Sequence, residues 1–284
     1  MTRENVTVRD FETMISSSGG GGHRMDLVVS LGARFCDRTE SGCPVSSDNL
    51  EGVASEIVAC RKCPRLVRYR ERVARTKRAA FRDWEYWGRP VPGFGDPNAE
   101  VLIVGLAPAA HGGNRTGRTF TGDRSGEFLY RALYRAGLAN QPTSVSKDDG
   151  LVLRDCYIAA AVRCAPPQNK PTRVEFVRCQ PYLEREVALL PHLRVVVVLG
   201  AVAMHSFLRT WRATGHEVPS PVPKFRHEGT WPLPPITLIA TYHPSQRNTQ
   251  TGRLTQTMLD RVFESAQKVR STGHLLDNRG DSRN

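Results

Sequence analysis

The chain has 284 residues, with 40 Lys and Arg against 28 Asp and Glu and a hydrophobic content of 39%. At about 150 residues per domain this is one large domain or two small ones, long enough to bury about three quarters of its unfolded surface without a metal or disulfide merely to hold it together. The apolar content excludes a wholly disordered chain, and the net charge of +12 favours a polyanionic partner without specifying a fold.

No stretch reads as membrane-spanning. The most apolar region, Val187 to Met204, is broken by Pro191, His192 and Arg194, whereas a span needs about 20 largely uncharged residues. The opening MTRENVTVRDFETM carries no apolar run after a basic start, so no secretory signal and a cytoplasmic protein are expected. Seven cysteines in such a chain are expected as ligands, catalysts or core filler rather than as a disulfide framework.

In chain order, the first 50 residues carry five basic and seven acidic residues and the Gly/Ser run Ser16 to Gly22. They read as an appended linker-like segment, in which Leu27-Val28-Val29 is an apolar run able to dock. Residues 51–270 read as one domain, and 271–284 as a polar tail. Four apolar runs predict buried strands: Val101–Leu106, Tyr157–Val162, Val195–Gly200 and Ile236–Thr241. Between and after them, Arg124–Ala136 places Phe128, Leu129, Ala132 and Leu133 on one helical face. Thr172 with Glu175 forms a capping box for a helix towards Leu190, and Leu254–Val269 is amphipathic. The alternation predicts an α/β fold around a mostly parallel four-stranded sheet, with a site at the carboxyl ends of its strands.

Cys60-Arg-Lys-Cys63 is followed far downstream by Cys164 and, fifteen residues on, by Cys179. Two adjacent thiolates and two delivered separately suit zinc or an iron–sulfur cluster, and spacing does not separate the metals from each other or from ordinary buried thiols. Cys36, Cys43 and Cys156 have no such spacing. The segment Arg61–Arg89 holds eleven Lys and Arg against three acidic residues, interleaved with Tyr69, Phe81, Trp84, Tyr86 and Trp87. Clustered cations neutralise phosphates and rings among them stack on bases, although such rings equally serve a core.

The loop from Gly105 to Asp123 is long, glycine-rich and placed where α/β sites form. It offers the carboxylate of Asp123, His111 as an acid or base, and the flat ring of Phe120. Asp123 equally suits the N-cap of the next helix. Gly112 to Thr119 is formally close to a phosphate-binding P-loop, but Arg118 stands where its Lys belongs and a proline-containing stretch separates it from the strand. At the fourth strand's end, His243-Pro244-Ser245 precedes the polar run Gln246 to Gly252 and faces the same sheet edge.

Together, Gly105-Leu-Ala-Pro, Asn114-Arg-Thr-Gly-Arg-Thr-Phe-Thr-Gly-Asp123, Arg163-Cys-Ala-Pro-Pro-Gln-Asn169 and His243-Pro-Ser resemble the uracil-DNA glycosylase superfamily, iron–sulfur branch, family 5 (the UDGb type), over about residues 53 to 268. The resemblance implies a three-layer sandwich and a 4Fe–4S cluster on Cys60, Cys63, Cys164 and Cys179 that is structural. It implies excision of uracil by water from double-stranded DNA in base-excision repair, after the nucleotide is flipped into a pocket. Asp123 would stabilise the sugar cation and orient the water, His243 would donate to the leaving base, and Asn169, in a loop near the site, would be the third catalytic residue. Ala107, His111, Asn114 and Phe120 would hold the flipped nucleotide, with Phe120 stacked on the base. Ser245 and Arg247 would grip phosphates.

Two departures from the related family 4 stand out: Leu106 where that family has Glu, and Ala160 where it has Asn. A site lacking edge-specific hydrogen bonds discriminates poorly, so hypoxanthine is expected beside uracil. No Lys lies in the two site loops, which argues against a lyase using an amine nucleophile. A monomer is expected. The competing readings are a non-catalytic iron–sulfur DNA-binding protein of the same fold and a Mg²⁺-dependent nucleotide-binding module.

Overall fold

The computed structural model describes residues 48–272. Expectations placed on residues 1–47, including Leu27 to Val29, Cys36 and Cys43, and on residues 273–284 lie outside the described residues.

The strands are β1 (Phe94–Gly95), β2 (Val101–Gly105), β3 (Cys156–Ala160), β4 (Val195–Leu199), β5 (Gly229–Leu233) and β6 (Ile236–Thr241), in the order β1-β3-β2-β4-β6-β5. The four apolar runs are β2, β3, β4 and β6, every residue of which is buried. They pair in parallel, with Gly105 opposite Ala160 and Leu199 opposite Thr241, so their carboxyl ends lie together along one edge. The sheet has six strands rather than the four expected. β1 and β5 close its two sides in antiparallel pairing. β1 is too short to show a period of two, and β5 carries Pro232, which belongs on an edge strand because it cannot donate to a ladder.

Alternation along the strands divides the core. Val101, Ile103, Val195 and Val197 face one side, and Leu102, Val104, Val196 and Val198 the other. Numbered in chain order, the helices are α1 (Leu50–Ala59), α2 (Pro64–Thr76), α3 (Gly113–Thr116), α4 (Arg124–Arg135), α5 (Arg173–Ala188), α6 (Ala201–Ala213), α7 (Gln246–Gln250) and α8 (Gln256–Thr272). Leu129 and Leu133 of α4 pack with Leu259, Val262 and Phe263 of α8 on the first face. Leu183 and Val187 of α5 pack with Phe207 and Trp211 of α6 on the second. The result is a three-layer α/β sandwich. Glu175 accepts the Thr172 backbone N–H at 2.7 Å, as the capping box predicts. No helix among the described residues is long and apolar enough to cross a membrane.

One buried ion pair fastens the loop after β3 to α5. Arg163 and Glu186 are each 1% exposed and in contact, and Glu186 also accepts from the Tyr157 hydroxyl at 3.3 Å. The close approach of Gly93 completes the enclosure, since a Cβ there would lie 2.3 Å from the Tyr157 oxygen. Removing one member of a buried pair strands the other charge at a cost of about 3–5 kcal/mol, whereas replacing both with apolar groups is often neutral. Urea unfolding is therefore expected to find Glu186→Leu destabilised by about 3–5 kcal/mol, with Arg163→Met/Glu186→Leu recovering most of that loss. Equal losses would assign the effect to packing instead.

Candidate active site

The chain leaves β2 at Gly105 into the loop that ends at Asp123. Gly105 has no room for a side chain, because a Cβ would stand 2.9 Å from the Phe120 ring. Phe120 itself adopts a left-handed backbone (φ 53°), which turns its carbonyl onto the first turn of α4. There Gly126 is required, since a Cβ would sit 1.7 Å from that carbonyl oxygen. Asp123 then caps α4, with Oδ1 accepting the Gly126 N–H at 2.9 Å. Its other oxygen, Oδ2, points at Gly112, where a Cβ would come within 2.0 Å. The N-cap and the site carboxylate expected from the sequence are thus the same side chain. Burial raises the Asp123 pKa above the usual carboxylate range, opposed by the Ser125 and Gly126 N–H groups and by Arg115.

Across the strand ends, the His243 ring lies 5.8 Å from the Phe120 ring between centroids, tilted by 35°. Burial lowers its pKa to about 4, so the imidazole is neutral at pH 7. No hydrogen bond from another described residue reaches either ring nitrogen. The backbone beneath it is fixed by Asn248, whose Nδ2 donates to the His243 carbonyl at 2.8 Å. Sequence reading missed Asn248, and the signal was its place in the polar run after His243-Pro-Ser.

The structure brings Asp123, Phe120 and His243 together at one sheet edge. Ser245 accepts the Asn248 N–H at 3.3 Å and so N-caps α7, on which Arg247 is exposed. Asn114 is 1% exposed and its Nδ2 donates to the Arg70 and Ala110 carbonyls at 3.2 and 3.4 Å, which makes it a brace of the loop. His111 is half-buried with Nδ1 3.0 Å from the Tyr86 hydroxyl. Burial, then Arg78 and Arg115, lower its pKa. Ala107 packs beside the cysteines with Leu106. Asn169 is exposed in a left-handed turn (φ 56°), and no hydrogen bond or ring contact joins it to Asp123, Phe120 or His243.

Cys60, Cys63, Cys164 and Cys179 gather in one cluster with Val53, Ile57, Leu66, Phe176 and Tyr182. They come from the α1–α2 turn, the loop after β3, and α5. Cys156 lies apart in β3. Burial pushes Cys164 up to about 12 and Cys179 up to about 11, while Arg70 and Arg163 respectively act in the opposite direction. The Arg163 backbone N–H donates to the Cys179 sulfur at 3.3 Å, and the buried Nε and Nη1 atoms of Arg163 have no partner among the described residues. Cations and N–H···S contacts suit thiolates. Among the described residues no group of three or more His, Cys, Asp or Glu, these four cysteines included, is arranged to hold a metal ion.

Clefts open along the basic segment. One of about 530 Å³ is lined by Arg61, Arg70, Arg75, Arg89, Tyr86 and Trp87. A neighbour of about 310 Å³ shares Tyr86, Trp87 and Arg89 with it and adds Arg115 and Lys147. Another, of about 440 Å³, takes Arg65, Arg68, Arg72 and Arg75 from α2. They form a continuous cationic band ending at the site loop.

In an NMR pH titration, His243 is expected to stay neutral down to pH 5 and to gain its proton only near pH 4. An ordinary His243 titration would remove the neutral-donor assignment.

Residues 92–267 match the family model of the uracil DNA glycosylase superfamily. The chain is 53% identical over 215 residues to the type-5 uracil-DNA glycosylase of Mycobacterium tuberculosis, covering 75% of this chain and 79% of that protein. It is 50% identical over 222 residues to the type-5 uracil-DNA glycosylase of Thermus thermophilus, covering 77% and 97%. The type-4 uracil-DNA glycosylase of Sulfurisphaera tokodaii is more distant, at 28% over 203 residues, covering 70% and 75%. The chain therefore belongs to the uracil DNA glycosylase superfamily and, within it, to the type-5 uracil-DNA glycosylases.

Proposed function

We propose that this protein removes uracil, and hypoxanthine beside it, from double-stranded DNA by hydrolysis of the N-glycosidic bond, as a monofunctional enzyme of DNA repair. The observation that carries the reading is the meeting of Asp123, Phe120 and His243 at the carboxyl edge of the sheet, in a chain half identical to type-5 uracil-DNA glycosylases.

The chemistry follows from those three groups. Once the nucleotide is flipped, Phe120 offers its face to the base. As the glycosidic bond lengthens, the sugar gains positive charge and the base leaves with negative charge. The Asp123 carboxylate, its Oδ1 tied to α4, stabilises the cationic sugar and orients water. The neutral His243 ring donates N–H to the base oxygen, acting as a fixed dipole on developing charge. A neutral ring can donate there without a charge of its own that would also attract the uncleaved substrate. Asn169 is proposed as a third catalytic residue, Ala107 and His111 complete the substrate side, Asn114 braces the loop from within, and Ser245 and Arg247 take the phosphates. Apolar Leu106 and Ala160 put no edge-specific hydrogen bond against the base, which supports the broader substrate range.

Cys60, Cys63, Cys164 and Cys179 would hold a 4Fe–4S cluster. When bound, it supplies a cross-link between the α1–α2 turn, the β3 loop and α5, and no step of the reaction. The proposed catalytic unit is residues 51–270, working as a monomer in the cytoplasm.

Single-turnover assays without divalent metal, on duplexes holding one uracil or one hypoxanthine, test the function. Alkali-labile abasic sites should form from both. Asp123→Ala should lower the rate about 10²-fold or more, on the scale of losing one preorganised electrostatic group. Duplex binding without cleavage of either substrate would instead favour a non-catalytic DNA-binding relative. For the cofactor, anaerobically purified protein is expected to be yellow-brown, with broad absorbance near ~400 nm. Cys179→Ser should lose both colour and iron. A colourless, zinc-loaded and fully active protein would eliminate the cluster.

A further inference from the structure

The basic segment and the site loop meet through one side chain. Arg115 is 3% exposed, although an arginine is usually an exposed residue. Its guanidinium lies between two rings of the basic segment, 3.9 Å from the Phe81 centroid and 4.1 Å from the Trp84 centroid. In the same position, its Nε donates to the His111 carbonyl at 2.8 Å and its Nη2 to the Gly122 carbonyl at 2.7 Å. Those carbonyls belong to the two ends of the segment that delivers Phe120 and Asp123. The fit is specific to arginine and to glycine opposite it: a Cβ on Gly122 would lie 2.3 Å from Nη2. Backbone bonds run parallel to this contact, from the Trp87 N–H to the Arg115 carbonyl at 2.9 Å and from the Gly88 N–H to the Asn114 carbonyl at 3.0 Å.

We propose that Arg115 is a positioning residue which clamps the His111–Gly122 loop shut and, through Phe81 and Trp84, makes the basic segment part of the site's frame. This rests on the reading of Asp123 as the catalytic carboxylate. A planar, multidentate cation does this where lysine cannot, because two carbonyls and two ring faces are satisfied at once in fixed directions. The charge has a further effect. Asp123 is faced by Arg115 from the loop and by Glu127 from α4, besides the N–H groups of Ser125 and Gly126. Tyr86 faces Arg115, and His111 lies beside it under Arg78 and Arg115. Of these, Arg115 is the cation that works with the Gly126 and Ser125 N–H groups against the burial of the carboxylate.

The full-length protein tests this with Arg115→Met, Arg115→Lys and Phe81→Leu/Trp84→Leu. Arg115→Met should slow single-turnover excision about 10²-fold, the usual result of loosening a reacting geometry by about 1 Å. It should also move the acid limb of the pH–rate profile upwards, because the ionised form of Asp123 loses its nearby cation. Arg115→Lys keeps the charge and loses the fork, so the rate should fall with the limb unmoved. The double ring variant should likewise slow excision with an unmoved limb. Independently of catalysis, hydrogen–deuterium exchange across residues 111–123 should accelerate in Arg115→Met and in the ring variant. Unchanged exchange in a folded Arg115→Met protein would overturn the clamp, as would a wild-type rate and limb. Were Arg115→Met not to fold, unchanged exchange in the ring variant or in Arg115→Lys would overturn it. If wild-type protein excises nothing, the functional reading fails while the exchange data still decide the clamp.

Discussion

The arrangement of the site depends on a piece of sheet that extends past the sheet. β2 and β3 run parallel to their ends at Gly105 and Ala160, and the pairing then continues for two more bonds, from Ala161 N–H to the Gly105 carbonyl at 2.9 Å and from Val162 N–H to the Leu106 carbonyl at 3.0 Å. Those bonds hold two diverging loops at a fixed separation. One leads through Leu106 and Ala107 to Asp123, the other through Arg163 to Cys164. Leu106, Ala107, Ala161 and Val162 consequently form a common wall between the site loop and the cysteines. A thiol cross-link at Cys164 would therefore brace the strand exit that launches the site loop.

Low dielectric does opposite things to the two titratable groups across this edge. Burial removes the charge from His243 and keeps it a neutral donor, while the same burial works against the charge on Asp123. Asp123 is compensated by the first-turn N–H groups of α4, which a carboxylate at a helix N-terminus receives without further cost, and by Arg115. Among the described residues His243 has no comparable partner. A positive and a negative group in this small space are not set against each other, and the ring stays available to a ligand.

Arginine serves this chain inside as much as outside. Arg163 is neutralised by Glu186. Arg118, 4% exposed, is tied to Asp149 at 2.8 Å, to Ser144 and to Thr121, with Phe94 beneath it at 5.0 Å. Arg70, 2% exposed, donates to the Gly88 carbonyl and faces Cys164. Net charge therefore overstates the cations available to a phosphate backbone. Those that line the clefts and remain exposed are Arg61, Arg68, Arg72, Arg75, Arg89 and Lys147.

The sequence by itself determined what depends on local pattern. The four parallel strands were legible because burial on both faces demands unbroken apolar runs. α5 was legible through Thr172 and Glu175, and the α4 cap through Asp123, because a cap uses residues three apart. The motifs pointed to two loops that the fold brings to one sheet edge and to four cysteines that it gathers in one cluster. Tertiary structure alone decided the rest. β1 and β5 exist because a neighbour's free edge pairs with them. α2 hides Leu66, Val67 and Val73 behind so much charge that its apolar face is obscured, and α6 starts directly after Gly200 in one long apolar run that a strand and a helix share. Asn114 reads as a ligand-facing polar residue, yet the fold turns it and its neighbour Arg115 inward onto backbone carbonyls. The physical reason is that a buried polar side chain must find partners distant in sequence, here Arg70 and the ring pair Phe81 and Trp84, and one-dimensional spacing carries no record of which partners the folded chain brings near.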